Sequence, residues 1–296
     1  MRTASRVLFA SACLAAMTGT VLAQDPPPPT EGEPDPSTAT DPAATDPAVT
    51  DPNAMPAEEA PAPSGRWPRE IINRPLTLPK GLAQVGLDVM TRTAAFFDPA
   101  VLKLGVGYGI TDDFELNYAS YMFATDDAGK GSIDFGLGYK LLRGAAGGKL
   151  EVIGRAATGY SLAAEGLNPL QLGAHVQYNV TPKVALITPG GQLVFALAGD
   201  PKPIFFQLPV AVGFQATPEL YLQVDTTLAQ VKISNSENAF FGADIIPLLI
   251  SAYYNAMPAL DVFAQFGSFN LKVPEGASAS DTLYSNVGAR YYIGDL

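Results

Sequence analysis

The sequence is poor in the residues that most enzymes and extracellular scaffolds are built on. It has 296 residues but one cysteine, Cys13, one histidine, His175, and one tryptophan, Trp67. Cys13 lies in the N-terminal apolar stretch, so the rest of the chain has no thiol and no disulfide to rely on. A lone histidine without a second soft ligand leaves no zinc set. Charged residues are only 16% of the chain, and Lys plus Arg number 18, too sparse for a nucleic-acid footprint. Beyond the N-terminus no apolar run reaches the length of a spanning helix, although 47% of residues are apolar. That much apolar surface must be buried in a core or shown to lipid as a closed sheet, the one spanning structure without helices.

What is present divides the chain in three. Residues 1–23 read as a secretory signal: Arg2 and Arg6 are the basic start, Val7 to Met17 the apolar stretch, and Val21-Leu22-Ala23 the small-residue cleavage site before Gln24. Ala10-Ser11-Ala12-Cys13 is a poor lipidation motif, because the apolar stretch before it is too short. Residues 24–66 hold the Pro26–Pro29 run and the repeats Thr40-Asp41-Pro42, Thr45-Asp46-Pro47 and Thr50-Asp51-Pro52, with no aromatic residue. Such a composition cannot bury enough apolar area to offset its ordering entropy, so a disordered periplasmic linker is expected. It carries nine acidic and no basic residues up to Gly65, most of the net charge of −11. The acidity therefore says little about a partner for the folded part. The linker is expected to act as a spacer, with binding to the cell wall or another protein as the sharper reading.

From Trp67 to Leu296 apolar and polar residues alternate at period two. Leu102, Leu104 and Val106 oppose Lys103, Gly105 and Gly107; Leu220, Leu222 and Val224 oppose Tyr221, Gln223 and Asp225. Leu170, Leu172, Ala174 and Val176 oppose Gln171, Gly173, His175 and Gln177, and Phe114, Leu116 and Tyr118 oppose Glu115, Asn117 and Ala119. This marks strands with one apolar and one polar face. A water-soluble sandwich would carry dense Lys and Glu on the polar face; here that face is Gly, Gln, Asn and Thr, which suits a lumen.

Four connections repeat one pattern: Tyr108-Gly109-Ile110-Thr111-Asp112, Tyr178-Asn179-Val180-Thr181-Pro182, Phe214-Gln215-Ala216-Thr217-Pro218 and Tyr254-Asn255-Ala256-Met257-Pro258. An aromatic ends one strand, a tight turn follows, and alternation resumes, with proline presetting φ where it occurs. The aromatics are placed as an interfacial girdle. The alternating segments are 82–94, 100–110, 114–124, 132–143, 149–161, 169–179, 183–198, 203–215, 219–233, 239–253, 259–273 and 280–293. Twelve strands follow, with ten or fourteen as alternatives because Pro189-Gly190-Gly191 interrupts 183–198. An even count sets all tight turns and both termini at one end, periplasmic in an outer-membrane barrel, with polar loops at the other.

The last strand adds a resemblance. Asn286-Val287-Gly288-Ala289-Arg290-Tyr291-Tyr292-Ile293 resembles the β-signal of Gram-negative outer-membrane β-barrel proteins, with Asn286, Gly288, Tyr291 and Ile293 at its defined positions. It departs by the three residues that follow it, Gly294-Asp295-Leu296, and by ending without an aromatic. Asn73-Arg74-Pro75-Leu76-Thr77-Leu78-Pro79-Lys80-Gly81 looks like the lead-in to strand one in uncharacterised porin-like members. The resemblance implies outer-membrane lipid and the barrel-assembly machinery as partners.

Strand parity directs Asp88, Arg92, Lys103, Glu115, Asp134, Lys140, Glu151, Arg155, His175, Asp225, Asp244, Asp261 and Arg290 to the lumen. A lipid-facing Lys or Arg near the midplane would cost about 2–4 kcal/mol, so the inward assignment is physically required. A narrow channel for ions or small polar solutes is expected, with a purely structural barrel as the alternative. A lipid-modifying enzyme is the remaining reading, built on His175, which parity turns inward and away from lipid. No catalytic, cofactor or metal site is assigned, and Gly105-Val106-Gly107-Tyr108-Gly109 lacks the strand–loop–helix context of a nucleotide loop. Residues 66–80 are placed to enter the lumen as a partial plug, which would favour the structural alternative.

Overall fold

The computed structural model describes residues 67–92, 100–125, 131–162, 164–198, 202–234, 246–273 and 278–294. The expected signal and linker, Asp244 and the side chain of Arg92 lie outside the described residues.

Fourteen strands are described: β1 (Ala83–Arg92), β2 (Ala100–Gly109), β3 (Phe114–Ala124), β4 (Ser132–Gly144), β5 (Leu150–Ser161), β6 (Gly166–Leu167), β7 (Leu170–Thr181), β8 (Val184–Pro189), β9 (Leu193–Phe195), β10 (Ile204–Gln215), β11 (Leu220–Ser234), β12 (Leu248–Met257), β13 (Leu260–Ser268) and β14 (Leu283–Ile293). They form one antiparallel sheet that closes on itself, β1 pairing with β2 on one side and β14 on the other. Twelve positions make the ring. β8 and β9 share one of them, since both lie between β7 and β10. The interruption falls at Pro189-Gly190-Gly191, where Gly190 and Gly191 take φ of 97° and 71°, a region that favours glycine. β6 is a two-residue flap on β5 outside the ring. Closure gives every strand of the ring a neighbour on both sides, as a spanning sheet requires.

Three strand ends differ from expectation. β12, described over Leu248–Met257, ends four residues beyond the expected 253, while 239–245 of the expected strand lie outside the described residues. β13 stops at Ser268 rather than 273, and β14 starts at Leu283 after a short turn of helix, Ala279–Thr282. For β13 and β14 the cause is local: the Ser268 hydroxyl accepts from Asn270 N–H and the Asp281 carboxylate from Ser278 N–H, offering the chain an alternative to the ladder.

The burial pattern is inverted relative to a soluble protein. Ser251, Glu115, Asn255, Gln215 and Asp261 are buried, while Val85, Leu104, Ile133, Leu222, Ile250 and Val287 stand exposed around the ring. Leu104 is 51% exposed and Glu115 1%. A continuous apolar exterior of this kind is a lipid-facing surface. The chain is thus a closed antiparallel β-barrel of the outer-membrane type.

One face assignment changes. Tyr118 was expected outside with Phe114 and Leu116, but a bulge in β3 shifts the register: Tyr108 pairs with Leu116 and Val106 with Ala119. Asn117 and Tyr118 then both border the lumen, and Ala119 moves to the outer face. A bulge reverses the alternation beyond it, which the amino-acid pattern does not announce. Gly136 makes room for the ring, since a Cβ there would stand 2.8 Å from Tyr118.

Candidate functional site

The tight-turn rim is built from the repeat seen in the sequence. In three of its four copies a threonine hydroxyl accepts two backbone N–H bonds: Thr111 from Asp113 and Phe114, Thr181 from Lys183 and Val184, Thr217 from Glu219 and Leu220. The leading aromatics Tyr108, Tyr178, Phe214 and Tyr254 are exposed on the outer face. The next residue in each copy therefore points into the barrel mouth: Gly109, Asn179, Gln215 and Asn255.

That mouth is filled by residues 67–82, which run inside the ring before joining β1. No sheet partner serves this segment over most of its length, so side chains of the wall bond its backbone. Leu78 N–H donates to Glu115 (2.7 Å), Leu76 N–H to Glu151 (3.2 Å) and Ile72 N–H to Gln215 (3.1 Å), while Gln177 donates to the Ile72 carbonyl (2.8 Å). Satisfying buried backbone polar groups in this way avoids a desolvation penalty of about 1–3 kcal/mol for each. Where the segment leaves, Gly81 and Leu82 bond Gly109, and a Cβ on Gly109 would fall 1.9 Å from the Pro79 carbonyl. Glycine is therefore required there by close approach.

Arg74 is the main anchor. It makes a bidentate ion pair with Asp261, whose oxygens also accept from Asn255 (2.9 Å) and the Tyr292 hydroxyl (2.9 Å). Its guanidinium lies 5.2 Å from the Trp67 ring centre and 5.4 Å from that of Tyr292. Both partners are nearly inaccessible, and planar bidentate pairing is what makes such a pair tolerable. Ile72 packs against Ala185, Ile187, Ala211 and Tyr221, closing the opposite side. Arg69 reaches Asn255 and Glu219 at the rim.

Beyond the plug a cavity of about 500 Å³ remains in the lumen. Asp88, Lys103, Arg155, His175 and Arg290 line it, together with Tyr118 and Tyr253. Lys103 lies over the Tyr118 ring at 5.2 Å and Arg290 over Phe263 at 5.1 Å. Arg155 donates a long bond to the Pro189 carbonyl (3.4 Å), and its Nε and the Nδ1 of His175 are buried without a hydrogen-bond partner among the described residues.

The residues that parity sent inward thus separate into groups. Glu115, Glu151 and Asp261 hold the plug. Asp88, Lys103, Arg155, His175 and Arg290 face the cavity. Lys140 instead reaches the turn, bonding the Asp112 carbonyl and pairing with Asp113. Asp134 accepts from Ser132 and Asn168 towards the loop end, and Asp225 from Gln223. Arg92 is in β1, where its backbone pairs with Tyr284. In β14, Asn286 bonds Gln265 inside, Gly288 leaves space for the Phe263 ring, and Tyr291 and Ile293 are exposed outside. Parity picked charges and so missed Gln177, Gln215, Asn255 and Tyr292, although Gln215 and Asn255 sit at the lumen-facing position of the turn repeat.

No family model and no curated relative matches the sequence. Among solved structures the chain is similar to the NanC porin, with 10% identity and a TM-score of 0.49 over 71% of this chain and 98% of that one. It is also similar to the KdgM porin, with 10% identity and a TM-score of 0.48 over 71% and 99%. The outer membrane protein Omp33 of Acinetobacter baumannii is a further similar structure, with 11% identity and a TM-score of 0.37 over 73% and 99%. At such identity the likeness concerns the fold alone.

Proposed function

We propose that the protein is a porin-like channel of the Gram-negative outer membrane, passing ions or small polar solutes. Residues 67–82 constrict its mouth. The observation that carries this reading is the polar lumen: about 500 Å³ of it stays open beyond the plug, with Lys103, Arg155, Arg290 and Asp88 on its wall and none of these four in an ion pair among the described residues. A barrel needed only as an anchor gains nothing from unpaired charges inside it, because each bears a desolvation cost. In this reading the tight turns and both termini are periplasmic, the segment before Trp67 is a tether, and β14 carries the assembly signal. The lipid-modifying alternative loses ground because His175 faces the cavity rather than lipid.

A structural barrel is the second reading, favoured by the dense bonding of the plug to the wall. Single-channel recording in planar bilayers separates the two. The mature chain should give small conductance steps, and Arg74→Ala should enlarge them by freeing the plug. Silence from both, in protein that shows heat-dependent mobility on SDS gels, would leave only the structural barrel.

A further inference from the structure

Four cations and three carboxylates line the cavity, but they are not paired off against one another. Arg74 is consumed by Asp261, and Glu115 is occupied by the Leu78 and Asn117 N–H groups. Glu115 keeps its negative charge, since its partners are neutral N–H groups, and Lys103, Arg155, Arg290 and Asp88 remain. None of these four makes an ion pair among the described residues. Asp88 is the direct cross-strand neighbour of Lys103, where an opposite-charge pair is the ordinary outcome. The Lys103 ammonium lies over Tyr118 instead, and the Arg290 guanidinium lies between Tyr253 and Phe263. The aromatic faces hold the cationic heads without using their donors in salt bridges.

The wall beside them is kept clear. Gly86 and Gly105 are cross-strand partners in β1 and β2, and Gly86 is also opposite Arg290. A Cβ at Gly86 would meet nothing closer than 3.7 Å, and one at Gly105 nothing closer than 3.5 Å. Neither glycine is therefore demanded by a neighbouring atom, unlike Gly109 or Gly136. Their effect is to leave volume next to Arg290. Arg155 and His175 line the same volume, with the Arg155 Nε and His175 Nδ1 buried behind it and without a hydrogen-bond partner among the described residues.

We infer that this cavity is a binding site for a small oxyanion, a phosphate or a compact dicarboxylate, held by Lys103, Arg155 and Arg290. Lys103, Arg155 and Arg290 against Asp88 and Glu115 leave one net positive charge for such a guest to neutralise, and guanidinium groups match the geometry of carboxylate and phosphate oxygens. The inference rests on the solvent-filled lumen of the proposed channel and assigns the class of solute that pauses there. Asp88 limits the field, so that the guest is held loosely enough to leave.

The test uses folded, full-length mature protein in detergent. Inorganic phosphate and succinate are titrated separately by calorimetry, with Trp67, the only tryptophan and a lining residue, as a fluorescent reporter. Glycerol and tetramethylammonium serve as neutral and cationic controls. Saturable binding of phosphate or succinate is expected, absent for both controls and weakened about tenfold or more in Arg290→Gln and Lys103→Gln, since charge-assisted bonds are lost. Heat-dependent gel mobility checks that the variants are folded. No binding of either anion, or affinity unchanged in both folded variants, overturns the proposal. Conductance is read independently: binding without conductance keeps the site and removes the channel, and conductance without anion binding does the reverse.

Discussion

The two halves of the lumen treat charge in opposite ways. At the tight-turn mouth Asp261, Glu115 and Glu151 each have a named partner on the plug, and Arg74 is held by an ion pair and two aromatic rings. Elsewhere on the lumen wall, Asp88 of β1, Lys103 of β2, Arg155 of β5 and Arg290 of β14 have no ion-pair partner among the described residues. β13 and β14 contribute to both zones: Asp261 and Tyr292 to the first, Phe263 and Arg290 to the second. The contrast separates stability from function. Satisfied polar groups rigidify a closure, whereas unsatisfied ones facing open volume are what a guest can use.

The largest break in this comparison is expected at Arg74. Arg74→Ala leaves Asp261 as a buried carboxylate without its cation, and removing one member of such a pair costs about 3–5 kcal/mol. The temperature at which the folded band is lost on SDS gels should fall, and an unchanged transition would show that the plug contributes nothing to the fold. Ile72→Ala should come next, at about 2 kcal/mol or more, because the side chain fills a packed site between β8, β10 and β11. Denaturant unfolding in detergent measures it; a loss below half that value would mean that the plug is not seated on Ala185 and Ile187. The smallest effect sharpens the contrast: Arg290→Gln should lower the unfolding free energy by only about 1 kcal/mol, since it loses the contacts to Tyr253 and Phe263 but breaks no ion pair. A loss comparable to that of Arg74→Ala would place Arg290 in the structural zone after all.

Much of the wall was legible because a strand in a barrel has only two faces. Leu102, Leu104 and Val106 against Lys103, Gly105 and Gly107 is a pattern that any closed sheet must resolve in one direction, and the lipid side takes the apolar set. The turn repeat was legible for a local reason too, since Thr111, Thr181 and Thr217 bond N–H groups two and three residues on. Tyr118 was not legible. The bulge that turns it inward depends on how β3 meets β2 and β4 across the barrel, and one extra residue reverses every side chain after it.

The amino-acid order by itself determined the closed antiparallel sheet and its even parity, because alternation and turn chemistry act between near neighbours. Tertiary structure alone decided what the inward charges do. Arg74 meets Asp261 across 187 positions of sequence and Leu78 meets Glu115 across 37, while Lys103 and Asp88, adjacent across a strand pair, do not form a salt bridge. Which charges are paired and which are left to face open volume depends on where residues 67–82 thread the ring. That path is set by closure of the whole barrel around it.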